Sequence, residues 1–254
     1  MRRIRPISHE DRLSVVDHLD ELRSRIIVSL AAVLVAFGLT MWQNHLVLKV
    51  LNRPLPHHLH PITFGVTEPF AQTLTNAGYA ALLLALPVVL YEIYAFVLPA
   101  FSPGERRTAV PLMLLVPVLF LAGAAFCYFV VLPPAVRFLL HFNHSEFNTQ
   151  VRAKDYYSFV MMTMLAVGIA FQVPVGILAL VRMRITSVEA LRRNRRYAIL
   201  VIAVVAALLP TVDPVSLVLE MVPMIALYEL SIILAATLGK PREMGDSVAP
   251  AEGS

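Results

Sequence analysis

The chain of 254 residues is 58% hydrophobic and only 15% charged, and its mean hydropathy is +0.71. A soluble domain needs more polar surface than this, so the composition excludes that class and indicates an integral membrane protein. The formal net charge is +4, and the single cysteine, Cys127, excludes an internal disulfide.

The first predicted element lies directly before the first long apolar run. Leu19 and Leu22 recur there at helical spacing and belong to one apolar stripe that ends at Ile26. Glu21 stands four residues before Arg25, which is the favourable order for an ion pair on a helix. We therefore expect a short amphipathic helix that lies on the membrane surface and leads into a spanning helix at Ile26.

Six apolar runs predict an all-α membrane protein with six spanning helices. They cover about residues 26–42, 76–98, 108–132, 156–181, 197–209 and 215–238. The fifth run has only about 13 apolar residues, which is short for a hydrocarbon core of roughly 30 Å.

The segments between these runs are polar. Residues 44–75 are predicted as a long proline-rich loop that forms an ordered cap, and residues 101–107 as a tight turn. Pro133 and Pro134 are predicted to end the third span. A basic connector covers residues 182–196, and the tail at 239–254 is rich in Gly, Pro and Ser, as disordered segments are.

The basic residues predict the orientation. Sixteen of the 21 lysines and arginines lie on the side of the N-terminus. The other five are Lys49, Arg53, Arg137, Arg152 and Lys154. Because basic residues concentrate on the cytoplasmic side, both termini are predicted to be cytoplasmic. The predicted organisation is a cytoplasmic segment at 1–25, a six-span domain at 26–238 and a cytoplasmic tail at 239–254.

Several residues inside the predicted spans are unusual in a lipid environment. Prolines tend to kink helices, and five lie in the spans: Pro87, Pro111, Pro117, Pro174 and Pro223. Gln172, Glu220 and Glu229 are costly against lipid, so they are expected to face a cavity, a partner helix or local water. For each of them the alternative is a hydrogen bond within the bundle.

A histidine group in the first loop is the one candidate for metal binding. His57, His58 and His60 lie close together, but no carboxylate or cysteine is near them in the sequence. We therefore expect no metal site there.

An ordered set of motifs along the chain resembles the TatC subunit of the twin-arginine protein translocase. The motifs are His18-Leu-Asp-Glu-Leu-Arg23, Leu86-Pro87, Ala95-Phe96, Pro99-Ala-Phe101, Glu105-Arg-Arg107, Phe171-Gln-Val-Pro174, Ile185-Thr-Ser187, Asp213 and Pro223 with Glu229. No single motif is decisive, but the set covers about residues 13–238 in the same order as in that family.

The resemblance implies a fold and a function. The fold is a cupped hand of six kinked helices. The implied function is to bind signal peptides with a consecutive arginine pair and to export folded proteins across the bacterial cytoplasmic membrane, driven by the proton-motive force. The implied partners are single-span TatA and TatB proteins, membrane lipid and further copies of the chain. It implies no cofactor, no enzymatic reaction and no nucleic acid.

The resemblance also implies the signal-peptide site. Arginine presents a planar fork of donors and lysine does not, so fixed carboxylates can distinguish the two. The family places its signal-binding acids at Glu21 and Glu105. The neighbouring residues expected at the same site are Leu22, Arg23, Phe96 and Arg106.

The chain departs from the family pattern in its intramembrane polar residues. Gln172 stands where many members have Glu, and Leu217 stands where a Gln is common. An amide cannot titrate, so a proton relay through Gln172 is not expected. Glu220 lies three residues after Leu217 on the same helix face and is expected to supply the lost polarity. Asp213 and Glu220 are thus expected to make polar or partner contacts at the outer end of the fifth and sixth spans, where Glu220 contacts a TatA or TatB helix or the water beside it.

Two other function classes fit the sequence less well. A secondary transporter usually shows paired inverted repeats with broken helices, and no repeat is visible in the sequence. An intramembrane protease needs a nucleophile with a base, or two aspartates, within its spans. The predicted spans carry neither an Asp pair nor a Ser/His pair, and all eight histidines lie outside them.

Overall fold

The structure, a computed structural model, describes residues 9–56, 59–97, 103–143, 145–146, 150–182, 185–208 and 213–238. In these ranges the chain is almost entirely helical. The helices are α1 (His9–Trp42), α2 (Asn44–Leu51), α3 (Glu68–Val97), α4 (Pro103–Phe126), α5 (Leu132–His141), α6 (Ala153–Ala170), α7 (Val173–Arg182), α8 (Val188–Arg193), α9 (Arg195–Leu208) and α10 (Pro214–Leu238).

The described part of the chain contains five helical stretches long and apolar enough to cross a membrane. They are His18–Trp42, Glu68–Val97, Met113–His141, Ala153–Val181 and Pro214–Thr237. The fifth predicted span corresponds to α9, which has 14 residues. At 1.5 Å per residue α9 is only about 21 Å long, so its shortness was predicted correctly.

The N-terminal segment is not a separate helix. α1 continues without interruption from His9 through Ile26 to Trp42. The residues before Ile26 therefore extend the helix of the first span, because this stretch contains neither proline nor glycine to end it.

The loop predicted at residues 44–75 is shorter than expected. Helix α2 occupies its first part, and α3 already begins at Glu68. The reason for the early start is that the Glu68 carboxylate accepts backbone N–H groups of Phe64 (2.7 Å) and Gly65 (3.2 Å), fixing the turn that enters the helix. Pro69 then lies in the first turn, where a missing amide costs little.

Side chains at the start of α6 hold the end of α2 and the start of α3, as expected for an ordered cap. The Tyr156 hydroxyl donates to the Leu51 carbonyl at 2.7 Å, and the Tyr157 hydroxyl donates to Asn52 Oδ1 at 3.0 Å. Arg152 Nε lies 3.0 Å from Glu68 Oε1 and ties the start of α6 to the start of α3.

Two further proline predictions were wrong for the same reason. Residues 103–107 are not a turn but the first residues of α4, with Pro103 at its start. Pro133 and Pro134 do not end the third span: a π-helical turn (Cys127–Val131) precedes them, and α5 continues to His141. In a first helical turn the backbone N–H groups have no partner within the helix, so proline is tolerated there.

Only one of the five intramembrane prolines coincides with an interruption among the described residues. Helices α3, α4 and α10 continue across Pro87, Pro111, Pro117 and Pro223. By contrast, α6 and α7 are separated by Phe171 and Gln172, just before Pro174. The predicted kink of the fourth span is therefore confirmed as a break in the helix.

Small residues allow α1 and α3 to pack closely. Ala77, Ala81 and Ala85 recur every four residues on α3 and are buried, and Ala36 of α1 is packed against this stripe. The Thr40 hydroxyl donates to the Ala77 carbonyl at 2.9 Å, which joins the two helices at the Trp42 end of α1.

Two glycines allow a close crossing of α4 and α6. A Cβ at Gly168 would lie 2.7 Å from the Phe120 ring, and one at Gly123 would lie 2.7 Å from the Phe171 ring. Phe120 is fully buried, so its ring has no space to move away. Each phenylalanine ring therefore occupies the space that a Cβ at the facing glycine would need.

We expect Gly168→Ala to destabilise the protein by about 1–3 kcal/mol, because the added methyl overpacks this crossing. Gly176→Ala is the matched control, since a Cβ there meets nothing within 4 Å. It should be neutral or stabilising by up to about 1 kcal/mol, the helix-propensity difference. Thermal unfolding of the purified protein in detergent measures both; equal melting temperatures for the two variants would contradict the proposed crossing.

Candidate functional site

Two carboxylates, one on α1 and one on α3, converge on the guanidinium of Arg25. The Arg25 Nε donates to Glu21 Oε1 at 3.0 Å within α1. The Arg25 Nη1 donates to Glu92 Oε2 of α3 at 2.8 Å. The predicted ion pair between Glu21 and Arg25 is thus confirmed, and the guanidinium also joins α1 to α3.

An aromatic contact lies beside this ion-pair cluster. The His18 ring stacks on the Phe96 ring, with centroids 4.3 Å apart and planes inclined by 14°. The His18 Nδ1 lies 3.8 Å from Glu21 Oε2. His18 therefore connects the carboxylate of α1 with the C-terminal part of α3.

A groove of about 450 Å³ runs between α1 and α3 next to the cluster. Its walls are mostly apolar, with Leu22, Ile26 and Leu86 among the lining residues and Phe96 and Ile93 towards the C-terminal part of α3. Arg25 and Glu92 also line it. The groove thus combines an apolar surface with a charged cluster, which is an arrangement suited to a ligand that has both an apolar part and cationic groups.

The position of Glu105 is defined only by its backbone. Glu105 and Arg106 lie in the first turn of α4, which follows α3 after residues 98–102. Their side chains lie outside the part of the chain whose side chains the structure describes. A carboxylate at a helix N-terminus is favoured by the helix dipole, which is consistent with an acid at this place.

The structure brings together three of the six residues predicted for the signal-peptide site: Glu21, Leu22 and Phe96. Arg23 is exposed on α1. Glu92, which pairs with Arg25 across the helix interface, was not predicted from the sequence. An acid in an otherwise apolar run was a usable signal for it, because intramembrane charges need a partner.

Of the intramembrane polar residues, Asp213 lies directly before α10, and Glu220 lies within α10 and inside the bundle. Asp213 caps α10: its Oδ1 accepts the Ser216 backbone N–H at 2.8 Å. Glu220 is 1% exposed, and its Oε1 is buried. The expectation that Glu220 avoids lipid is confirmed, and its carboxyl faces the interior of the subunit.

The other two intramembrane polar residues make hydrogen bonds within the bundle, as the alternative interpretation held. The Gln172 amide donates to the Val116 carbonyl of α4 at 3.1 Å, from the break between α6 and α7. The Glu229 carboxylate accepts from Arg195 of α9 at 2.7 Å. Any contact of these residues with a partner protein stays a prediction.

The described side chains contain no group of three or more His, Cys, Asp or Glu residues suited to a metal ion. Of the histidines in the first loop, His60 is exposed. His57 and His58 lie outside the described residues, so the metal prediction for this group stays untested.

A family model described as Sec-independent protein translocase protein (TatC) matches residues 17–223. The chain belongs to the TatC family. The Sec-independent protein translocase protein TatC of Koribacter versatilis (strain Ellin345) is 36% identical over 231 residues, which is 88% of this chain and 85% of the relative. TatC of Escherichia coli (strain K12) is 37% identical over 233 residues, 90% of each chain.

Two crystal structures of TatC share the fold. One, of the twin arginine translocase receptor TatC in DDM, gives a TM-score of 0.74 at 34% identity and covers 85% of this chain and 98% of the other. The second, of the same receptor, gives a TM-score of 0.71 at 32% identity and covers 88% and 100%. This TatC chain is therefore a membrane-embedded component of a protein translocase, a transport protein of the Tat system, and the secondary transporter is not favoured.

Proposed function

We propose that this TatC chain binds twin-arginine signal peptides at its cytoplasmic face. The signal-binding carboxylates are Glu21 and Glu105, and the neighbouring side chains are Leu22, Arg23, Phe96 and Arg106. The observation that carries the proposal is the Glu21 carboxylate, which accepts guanidinium N–H groups beside the groove between α1 and α3. A guanidinium from a peptide has the same donors.

The proposal includes the translocation step. Bound to a signal peptide, the chain acts with single-span TatA and TatB proteins and exports the folded cargo with the proton-motive force. Several copies of the chain assemble with these partners in the membrane. Neither a cofactor nor a nucleic acid takes part, and the chain carries out no enzymatic reaction.

The site must face the cytoplasm for this function. We infer six spans across the bacterial cytoplasmic membrane with both termini on the cytoplasmic side, α9 being the fifth span. Support comes from the basic residues, sixteen of which would lie inside. After Cys127 is replaced, a cysteine at Ser145 is expected to react with an impermeant thiol reagent in intact cells. A cysteine at Ser187 should not react, and the reverse pattern would overturn the orientation.

The binding test uses two peptides that differ at two residues. Full-length protein in detergent should bind a labelled signal peptide with Arg-Arg in its n-region at least about tenfold tighter than the Lys-Lys counterpart, because lysine cannot form a bidentate pair. Fluorescence anisotropy measures both affinities. Equal affinity for the two peptides would contradict the proposed recognition.

A further inference from the structure

One guanidinium, that of Arg25, bridges carboxylates on two helices. Its Nε lies 3.0 Å from Glu21 Oε1, its Nη2 also donates to that oxygen, and its Nη1 lies 2.8 Å from Glu92 Oε2. Arginine can make this bridge because its five donors lie in one plane and point in different directions. The bridge joins α1 to α3 at the edge of the groove.

The Glu21 carboxylate is thus already paired in the protein without a signal peptide. Its Oε1 accepts two N–H groups of Arg25, and its Oε2 lies 3.8 Å from His18 Nδ1. An arginine from a peptide that pairs with Glu21 in a bidentate manner needs both oxygens. The peptide arginine must therefore displace the Arg25 guanidinium, which is a group of the same chemical kind.

The two carboxylates are not equivalent in their access to solvent. The Glu21 side chain is 34% exposed and the Glu92 side chain 17% exposed. An incoming peptide therefore reaches Glu21 more readily than Glu92. After displacement, Arg25 keeps Glu92 as a partner, so no charge is left unpaired next to apolar helices.

We propose that Arg25 is an internal competitor of the signal-peptide arginine for Glu21, and that Glu92 retains Arg25 when the peptide arginine takes Glu21. This inference rests on the proposed function and assigns positioning roles to two residues of its site. Its consequence is specificity: a peptide arginine replaces both guanidinium N–H donors that Glu21 loses, whereas a lysine forms only a point contact and does not.

The test is the affinity of the full-length protein in detergent for the Arg-Arg peptide and for the Lys-Lys peptide. Arg25→Gln is expected to bind the Arg-Arg peptide about three- to tenfold tighter, because Glu21 is released from a partly exposed pair. The Lys-Lys peptide should gain at least as much. Arg25→Lys, which keeps the charge but not the fork, should also bind tighter than the wild type.

Glu92→Gln is expected to change the affinity in the opposite direction. With Glu92 neutral, Arg25 has only Glu21 as a charged partner, so the Arg-Arg peptide should bind about three- to tenfold weaker. In the Arg25→Gln background the same Glu92→Gln change should have no effect. This background dependence separates a positioning role of Glu92 from direct contact with the peptide, which predicts equal weakening in both backgrounds.

Glu68→Gln is the matched control at the other end of α3, where Glu68 pairs with Arg152 at 3.0 Å. It should leave the peptide affinity unchanged. Weaker binding by both Arg25→Gln and Arg25→Lys, equal weakening by Glu92→Gln in both backgrounds, or an effect of Glu68→Gln as large as that of Glu92→Gln would each overturn the inference. A wild type without preference for Arg-Arg would instead contradict the proposed function.

Discussion

Replacing Glu21 with Ala is expected to weaken the binding of an Arg-Arg signal peptide about ten- to a hundredfold. Each charged hydrogen bond to a peptide arginine contributes roughly 1.5–3 kcal/mol, which gives this range. Glu105→Ala is expected to have a similar effect. The double variant Glu21→Ala/Glu105→Ala should lose measurable binding in fluorescence anisotropy while it still inserts and folds.

Loss of binding must be distinguished from loss of structure, because Glu21→Ala also removes one partner of Arg25. In the variant Arg25 keeps Glu92, from which it is 2.8 Å away, so the contact between α1 and α3 should persist. Asp20→Asn is the matched control, since Asp20 is the neighbouring, exposed acid of α1. Full-strength crosslinking and binding by the double variant would show that the carboxylates lie elsewhere.

The proposed signal-peptide site was predictable in its local part and not in its tertiary part. The pair of Glu21 and Arg25 follows from a spacing of four residues on one helix. Glu92 is 67 residues away in the chain from Arg25, so no local pattern places them together. The family resemblance supplied Glu105 and Phe96, and the structure showed that Phe96 stacks on His18.

The apolar runs predicted the helices, but the prolines misled the prediction of their ends. Proline is readily tolerated in the first turn of a helix and disfavoured but not excluded in its interior, so a proline motif alone does not show where a helix begins or ends. Pro103 begins α4, and Pro133 and Pro134 follow a π-helical turn that a proline motif does not reveal. Pro174 lies at the break before α7, and the predicted kinks at Pro87, Pro111, Pro117 and Pro223, where the helices continue, stay predictions.

The edge formed by the short α9 and the longer α10 is the expected docking place of a TatA or TatB span. At about 21 Å, α9 is roughly 10 Å shorter than the hydrocarbon core, a deficit that a partner helix or a thinned bilayer must meet. Exposed apolar side chains recur every four residues on it at Leu200, Val204 and Leu208. On α10, Val218 and Val222 are exposed in the same way.

We expect disulfides in native membranes between a cysteine at Val204 or Val218 and cysteines in the partner's span, after Cys127 is replaced. Ser216 is fully buried, so it is the matched control and should form none. The Glu220 carboxyl is also enclosed, so the partner is expected to pack beside it rather than on it. Glu220 thus acts from inside the subunit in this proposal.

Glu220→Leu is therefore expected to reduce export of a twin-arginine cargo while Arg-Arg peptide binding stays unchanged. Replacing the buried carboxyl with an apolar side chain leaves the polar groups around it without that partner, at a cost of about 1–3 kcal/mol. This loosens the outer half of α10, on which the partner packs. The proposed signal-binding carboxylate of Glu21 lies on α1, so peptide binding should not depend on Glu220 of α10. Export is measured in cells, and binding on the purified variant. Normal export by Glu220→Leu, together with no disulfides at Val204 or Val218, would place the partner at the face that carries Gln172.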